Sequence, residues 1–365
     1  MSAHPSPHPP ARPCTGRHRV ALVMIVRDEA ARIERALASF APHVDECVVL
    51  DTGSVDDTVA RALAAGARVG HFRWVDDFSA ARNAALDLAG ADWHVVVDAD
   101  EWLAGGADAI AALRDTAPGF VGSLRIDSQD DSQARPTTTS SWISRVLPGP
   151  VRYAGRVHEQ PVHTLPVRRL PVSLGHDGYL GERRAAKAGR NRALLEAAAA
   201  ATPDDAYVHY QLGKDHDVYE RYEQALQAFD RAEALLGEAR PPWRHDLVVR
   251  SLHAHKRCSR HAEGMARAEQ AMADWGDSPD FFFALGDLLL DWAADEPARA
   301  GELLPLIEAA WQRCLALGER PDLEGAVAGR GSHLAAANLV MLYEQLGQPA
   351  LAEPYRALAG AAAQA

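Results

Sequence analysis

Three carboxylates, Asp98, Asp100 and Glu101, arrive together directly after the apolar run Trp93-His94-Val95-Val96-Val97. A stretch so rich in β-branched residues reads as a buried strand. Acids gathered at its exit repel one another and lose hydration, so stability alone does not favour them. A divalent cation reverses that sign, because hard Mg2+ or Mn2+ prefers oxygen ligands and commonly shares them with substrate phosphates. A solvated acidic turn would give the same cluster, so the surrounding chain has to decide.

The elements that would position those acids follow in order. Val20–Val26 is an apolar strand closed by Arg27-Asp28-Glu29, and Ile33, Leu37 and Phe40 are spaced as on a helix. Cys47-Val48-Val49-Leu50 is a second strand, ending in Asp51-Thr52-Gly53-Ser54. Asp56 and Asp57 enter a helix over 58–65 that Gly66 stops. A short strand over 67–72 comes next, then a helix over Phe78–Ala89 with Arg82-Asn83 in its first turns. Strands alternating with helices predict a mainly parallel, Rossmann-like sheet covered on both faces. Ligands of such sheets lie across the carboxyl ends of the strands, where Arg27, Asp28, Glu29, Asp51, Asp98 and Asp100 are expected. Farther on, the polar run 127–140 separates strand-like segments at 121–126 and 141–147 and reads as a long hairpin loop.

Two motifs mislead. Asp51-Thr52-Gly53 looks like half of an aspartic protease, but that chemistry needs two carboxylates sharing a proton, and no second such triplet exists. His158 and His163 are one residue too far apart for a zinc-binding helix, and Pro161 between them would break it.

With 365 residues the chain has room for two domains. A net charge of −12 gives no basic field for nucleic acid or anionic lipid. Cys14, Cys47, Cys258 and Cys314 lack metal-ligand spacing and suit a reducing compartment, so the expected location is cytoplasmic. No apolar run reaches the roughly 18 to 20 residues of a membrane helix. Residues 1–18, rich in proline and poor in hydrophobes, read as a disordered tail. After Gly181 the composition turns alanine-rich and helical. The segments 207–213 and 222–229 form a helix pair with the small-and-large alternation of tetratricopeptide repeats, with weaker echoes at 262–272, 283–287 and 337–351. Three or four repeats are expected, presenting a concave face suited to a peptide, a protein or a second copy of the chain.

The ordered strings Met24-Ile25-Val26-Arg27-Asp28-Glu29, Asp51-Thr52-Gly53-Ser54-Val55-Asp56, Asp76-Asp77-Phe78-Ser79-Ala80-Ala81-Arg82-Asn83, Asp98-Ala99-Asp100-Glu101, Gly155-Arg156-Val157-His158-Glu159 and His176-Asp177-Gly178-Tyr179 together carry a specific resemblance. Between about residues 20 and 230 the sequence resembles family 2 glycosyltransferases of GT-A fold (nucleotide-diphospho-sugar transferases), in the bacterial branch that adds tetratricopeptide repeats. The implied organisation is the tail at 1–18, a GT-A catalytic domain at 19–185 and an all-α repeat domain at 186–365.

The resemblance implies an inverting, metal-dependent transferase using a nucleotide-sugar donor, such as a UDP-sugar, with Mg2+ or Mn2+. Asp100 is then the direct metal ligand, with Asp98 on the ribose or a metal-bound water. Asp51, Arg27 and Glu29 resemble base and ribose contacts, and Arg82 and Asn83 are expected to touch the nucleotide. Glu159 falls where these enzymes place the acid that deprotonates the acceptor, with Glu101 as its rival. His176 resembles a late histidine on the metal or phosphate, a part His158 could also play. The run 127–140 would lie on the acceptor side. Acceptors in this branch include a peptide Ser, Thr or Cys side chain, as in sublancin-type peptide glycosyltransferases. A surface polysaccharide or glycolipid precursor is the alternative, and a homodimer through the repeats is a further expectation. The rivals are a non-catalytic repeat scaffold with a degenerate transferase domain and a nucleotidyltransferase, although the latter would need a glycine-rich, basic loop after the first strand.

Overall fold

A computed structural model describes residues 18–130, 137–177 and 182–360. All but the last residue of the expected tail therefore lies outside the described residues. The chain divides into two compact units, one of residues 1–129 with 142–179 and the other of residues 130–141 with 180–365.

The first unit is built on a sheet whose parallel half is β1 (Val20–Val26), β2 (Glu46–Asp51), β3 (Arg68–His71) and β4 (Trp93–Val96), in the order β3-β2-β1-β4. β1 shows why the chain folds this way. Its side chains alternate across the sheet: Val20, Leu22, Met24 and Val26 pack with Ile33, Ala36, Leu37 and Phe40 of α1 (Ile33–Phe40). Ala21 and Val23 face the other way and pack with Ala85, Leu86 and Ala89 of α3 (Phe78–Ala89). α2 (Thr58–Ala64) stands between β2 and β3. The expected helix-covered sheet is what the structure contains.

Beyond β4 the chain departs from the simple alternation. β5 (Glu101–Gly105) begins two residues after Ala99 and runs antiparallel to β10 (Val167–His176), with the short α4 (Ala107–Ala111) behind it. The segments expected at 121–126 and 141–147 are the cores of longer strands, β6 (Val121–Asp130) and β7 (Thr137–Pro148). They extend into the polar run because partners from elsewhere in the chain pair with it, Gly175 and His176 of β10 with Asp127 and Ser128, and Ala326 and Val327 with Ser140 and Thr139. The full order is β3-β2-β1-β4-β7-β6-β10-β5, with β4 and β7 antiparallel. β8 (Arg152–Ala154) and β9 (Gln160–Val162) form a separate small hairpin.

The second unit begins with α5 (Glu182–Ala201) and continues as four helix pairs. These are α6 (Ala206–Val218) with α7 (Tyr222–Leu236), α8 (Arg244–Arg257) with α9 (His261–Trp275), α10 (Pro279–Asp295) with α11 (Ala300–Leu317), and α12 (His333–Gln345) with α13 (Pro349–Gly360). The small-and-large alternation has a direct cause. A Cβ on Gly213 would stand 2.4 Å from the Phe229 ring, and one on Gly286 would stand 2.5 Å from Trp311 Nε1. In these two pairs, α6 with α7 and α10 with α11, the helices close on one another because a glycine faces an aromatic ring. The strand β11 (Ala326–Val327) lies in the connection between the third and fourth pairs.

Candidate active site

The acidic strand exit is a network of alternating charge. Asp98 receives Arg82 Nη2 on Oδ1 at 2.9 Å and Arg145 Nη2 on Oδ2 at 2.9 Å. The same Arg145 nitrogen donates to Glu101 Oε1 at 2.8 Å, and Glu101 Oε2 accepts the Asp98 backbone N–H at 2.9 Å. Arg82 Nε donates in turn to Glu159. Burial would raise the Asp98 carboxyl, but Arg82 and Arg145 override it and hold the group well below the usual carboxylate range. For Glu101 burial prevails over Arg145 and pushes the carboxyl up.

Local structure explains how each member is placed. α3 is capped by the Asp77 carboxylate, which accepts the Ala80 N–H at 3.0 Å. That start puts Arg82 in the second turn, close to a helix N-terminus that disfavours a cation, and two carboxylates offset the mismatch. Glu159 ends the turn between β8 and β9, where Gly155 adopts φ +101° and His158 left-handed backbone at φ 51°. Asn83, expected on the nucleotide, is occupied elsewhere. Its amide donates to the Tyr153 carbonyl at 2.9 Å and accepts the Tyr153 N–H at 2.8 Å, tying β8 to α3. That pairing is a positioning task which accounts for the side chain without a nucleotide.

Asp100 lies beside the network. His176, at the end of β10, approaches Asp100 Oδ2 with Nε2 at 3.7 Å, and its Nδ1 is 3.0 Å from Ser128 Oγ. Burial would lower the His176 pKa, but the bond and field of Asp100 raise it. Asp177 receives Arg32 at 2.8 Å and Arg35 at 2.6 Å, which fastens this turn to α1. Arg32 also reaches Glu29 at 3.7 Å.

Arg27, Glu29 and Asp51 form a second group at the ends of β1 and β2. Val26 and Asp51 are register partners, and β4 flanks β1 on its other side, so Asp51 and Asp98 leave one edge of one sheet from strands two apart. The two loops here clasp each other. Ser54 Oγ accepts the Asp28 N–H at 2.9 Å, Asp28 Oδ1 accepts the Val55 N–H at 2.8 Å, and Thr58 Oγ1 accepts the Glu29 N–H at 2.8 Å. Asp51 accepts the Gly53 and Ser54 N–H groups at 3.1 Å, a turn that requires Gly53 at φ +109°. Burial works against its charged form, but the bonds from Ser54, Gly53 and His71 leave the Asp51 pKa below its ordinary value. Arg27 stays half-exposed, 3.9 Å from Asp28.

Among the described residues no three His, Cys, Asp or Glu side chains converge as a ready-made metal cage. The donor set nonetheless fits a hard divalent ion that takes part of its coordination from a diphosphate. Asp98, Asp100, Glu101 and Glu159 outnumber the guanidinium groups of Arg82 and Arg145 among them, with His176 beside Asp100, so the set is rich in oxygen donors and in negative charge. Arg82 Nη1, Arg145 Nε and the Tyr153 hydroxyl are buried with no hydrogen-bond partner, so the site also holds polar capacity that its own residues do not use.

Residues 21–163 match the family model described as glycosyl transferase family 2. This segment is a family 2 glycosyltransferase domain. The helical unit joined to it is an all-α repeat domain resembling tetratricopeptide repeats. A TPR repeat-containing protein of Synechococcus elongatus is 37% identical over 211 residues, 53% of this chain and 51% of its own length. The SPbeta prophage-derived glycosyltransferase SunS of Bacillus subtilis is 26% identical over 212 residues, 56% of this chain and 50% of its own. The chain thus spans about half the length of the curated relatives it matches. Glucosyl-3-phosphoglycerate synthase from Mycobacterium tuberculosis, solved with Mn2+ and UDP-glucose, is 27% identical over 30% of this chain and 44% of that one. Its TM-score of 0.26 is too low to bear on fold or ligands.

Sequence reasoning missed Arg145, the residue that joins Asp98 to Glu101. One signal was available, a lone cation immediately before Val146-Leu147 in a segment otherwise read as a strand. Arg32 and Arg35, which hold Asp177, carried no signal beyond helical spacing.

Proposed function

We propose that the chain is a metal-dependent glycosyltransferase that takes a sugar from a nucleoside diphosphate donor, a UDP-sugar, and passes it with inversion to a hydroxyl or thiol of a peptide or protein. The observation that carries this reading is the continuous network from Glu159 through Arg82, Asp98 and Arg145 to Glu101 at the carboxyl edge of a family 2 domain. Asp51, Arg27 and Glu29 are assigned to the base and ribose, and Asp100 with His176 to the metal, with Asp98 beside it. A bound divalent cation would supply positive charge to the diphosphate as it departs.

The remaining work falls to the chain's own groups. Glu159 is the better base, because Glu101 is committed to the Asp98 N–H and to Arg145. Glu159 takes the proton of the acceptor O–H or S–H, whose oxygen or sulfur bonds to the anomeric carbon. The bond from that carbon to the diphosphate oxygen breaks, and its electron pair leaves with the nucleoside diphosphate. Arg82 holds Glu159 in an ion pair. For Glu159 to accept a proton, Arg82 turns toward the incoming diphosphate, so donor binding precedes activation of the base. The described Cys47, Cys258 and Cys314 are free thiols, and we place the enzyme in a reducing, cytoplasmic setting. No helix among the described residues is long and apolar enough to cross a membrane.

A mass-spectrometric screen of nucleotide sugars with Mg2+ or Mn2+ tests the proposal. Metal-dependent donor turnover is expected, falling at least about 100-fold in Asp100→Ala, the scale of lost electrostatic stabilisation of a leaving group. Turnover unchanged in that variant overturns the assignment. Calorimetry showing neither nucleotide nor metal binding would favour a scaffold instead.

A further inference from the structure

The helical unit buries polar side chains on the first helices of its second and third pairs. His245 and Asp246 of α8 and Ser278 and Asp280 around the start of α10 are each almost wholly inaccessible to solvent. Buried polar groups are costly unless bonded, and part of what bonds these is main chain from the connection between α11 and α12. His245 Nδ1 meets the Glu324 carbonyl at 2.7 Å, while its Nε2 meets Ser278 Oγ at 2.7 Å. Asp280 Oδ1 accepts the Val327 backbone N–H at 2.9 Å and Arg330 Nη1 at 3.1 Å. Gly325, at φ +74°, lies so close over Asp246 that a Cβ there would fall 2.2 Å from Oδ1. The Glu324 carbonyl and the Val327 N–H, on either side of a turn at Gly325 that leads into the two-residue β11, are thus held through the backbone.

The opposite edge of the same segment is paired. β11 runs antiparallel to the outer end of β7, with Ala326 opposite Ser140 and Val327 opposite Thr139. Gly325 N–H donates to the Ser140 carbonyl at 3.1 Å and Ala328 N–H to the Thr138 carbonyl at 2.8 Å. All of these contacts are internal to the helical unit, which includes residues 130–141.

We propose that His245 and Asp280, with Asp246 packed against Gly325, form a holding site whose ligand is the chain's own 324–328 segment, and that the site serves to fix the 137–141 arm. The polar surface that repeats of this kind could offer to an extended peptide is filled from within at these two helices. A peptide acceptor therefore does not dock there unless it displaces 324–328. Beside the proposed activity, the repeats contribute a held arm within their own unit. The holding itself needs no turnover, so its test stands or falls separately from that activity.

Peptide-resolved amide hydrogen exchange on the full chain is the test. In the wild-type chain, 325–328 and the arm are expected to exchange as slowly as neighbouring helix ends. Val327→Pro removes the N–H that Asp280 accepts, at an edge-strand position whose N–H takes no part in the bonds to Ser140 and Thr138. Exchange at 325, 328 and 138–141 is expected to rise at least tenfold, with α8 and α10 unchanged. Gly325→Ala, which drives a methyl into Asp246, should give the same pattern by a second route. Exchange of 325–328 at open-loop rates in the wild-type chain would overturn the proposal. So would variants that release 325–328 and leave 138–141 as protected as before. Should both variants lose their helices, the wild-type protection pattern decides alone.

Discussion

Arg145→Met removes a guanidinium whose single Nη2 serves Asp98 at 2.9 Å and Glu101 at 2.8 Å. Its side chain is 8% exposed, and methionine fills most of its volume, so the change is one of charge. Removing one partner of a buried ion pair typically costs about 3 to 5 kcal/mol, because the other charge is left uncompensated. The two carboxylates differ in how much each would suffer. Asp98 keeps Arg82 and has 36% of its side chain in solvent, whereas Glu101 is 4% exposed and retains only the Asp98 N–H of the bonds described. The loss therefore belongs mainly to Glu101 and should sit near the low end, about 3 kcal/mol at pH 7.5. Burial already raises the Glu101 pKa, and losing Arg145 raises it further. Lowering the pH then protonates Glu101 in the folded variant and relieves the cost, so the deficit should shrink to about 1 kcal/mol near pH 5. Urea unfolding of both proteins at the two pH values measures this. Arg145→Met/Glu101→Gln should recover at least half of the loss. A deficit below about 1 kcal/mol at pH 7.5, or one that ignores pH, would refute the claim that Glu101 depends on Arg145.

Burial, with Arg152 nearby, pushes the His94 pKa down to about 4. A histidine kept neutral in the fold contributes stability that is fully present above the unfolded value near 6.5 and is lost as pH falls toward 4. About 2 kcal/mol should be gone by pH 5, and His94→Gln should flatten that part of a stability-against-pH curve. Asn83→Ala removes both bonds to the Tyr153 backbone and frees the hairpin that carries Glu159. Nucleoside diphosphate affinity by calorimetry should hold while sugar transfer falls roughly tenfold, the scale of a misplaced catalytic group. Equal losses in binding and transfer would return Asn83 to the nucleotide.

The parallel half of the sheet was legible because its signals are local. α3 was bounded correctly at both ends, since Asp77 caps its start and Gly90, at φ 56°, ends it in left-handed backbone. β1, β2 and β4 announced themselves as apolar runs that finish in acids. Elements whose partners are distant in sequence were harder. β5 is short, opens on Glu101 and exists because β10 pairs with it some 70 residues later. β6 and β7 outran their apolar cores for the same reason. At the site, the residue types were readable and their pairings were not. Asp98 could be singled out as an acid at a strand exit, but nothing in its neighbourhood says that Arg82 and Arg145 will share it. Asn83 stands beside Arg82 in the sequence, yet on a helix adjacent residues point about 100° apart, and one meets the acids while the other meets the β8 backbone.

The pairing of β11 with the outer end of β7 has a consequence for how the molecule is made. Ser140 leaves the ribosome on the order of 190 residues before the stretch that will pair with it. At bacterial-range synthesis rates of about 5 to 20 residues per second, that arm waits roughly 10 to 40 seconds for its partner. A nascent chain can complete β1 to β4 early, but β7 stays unfinished at one end until most of the helical unit has been translated.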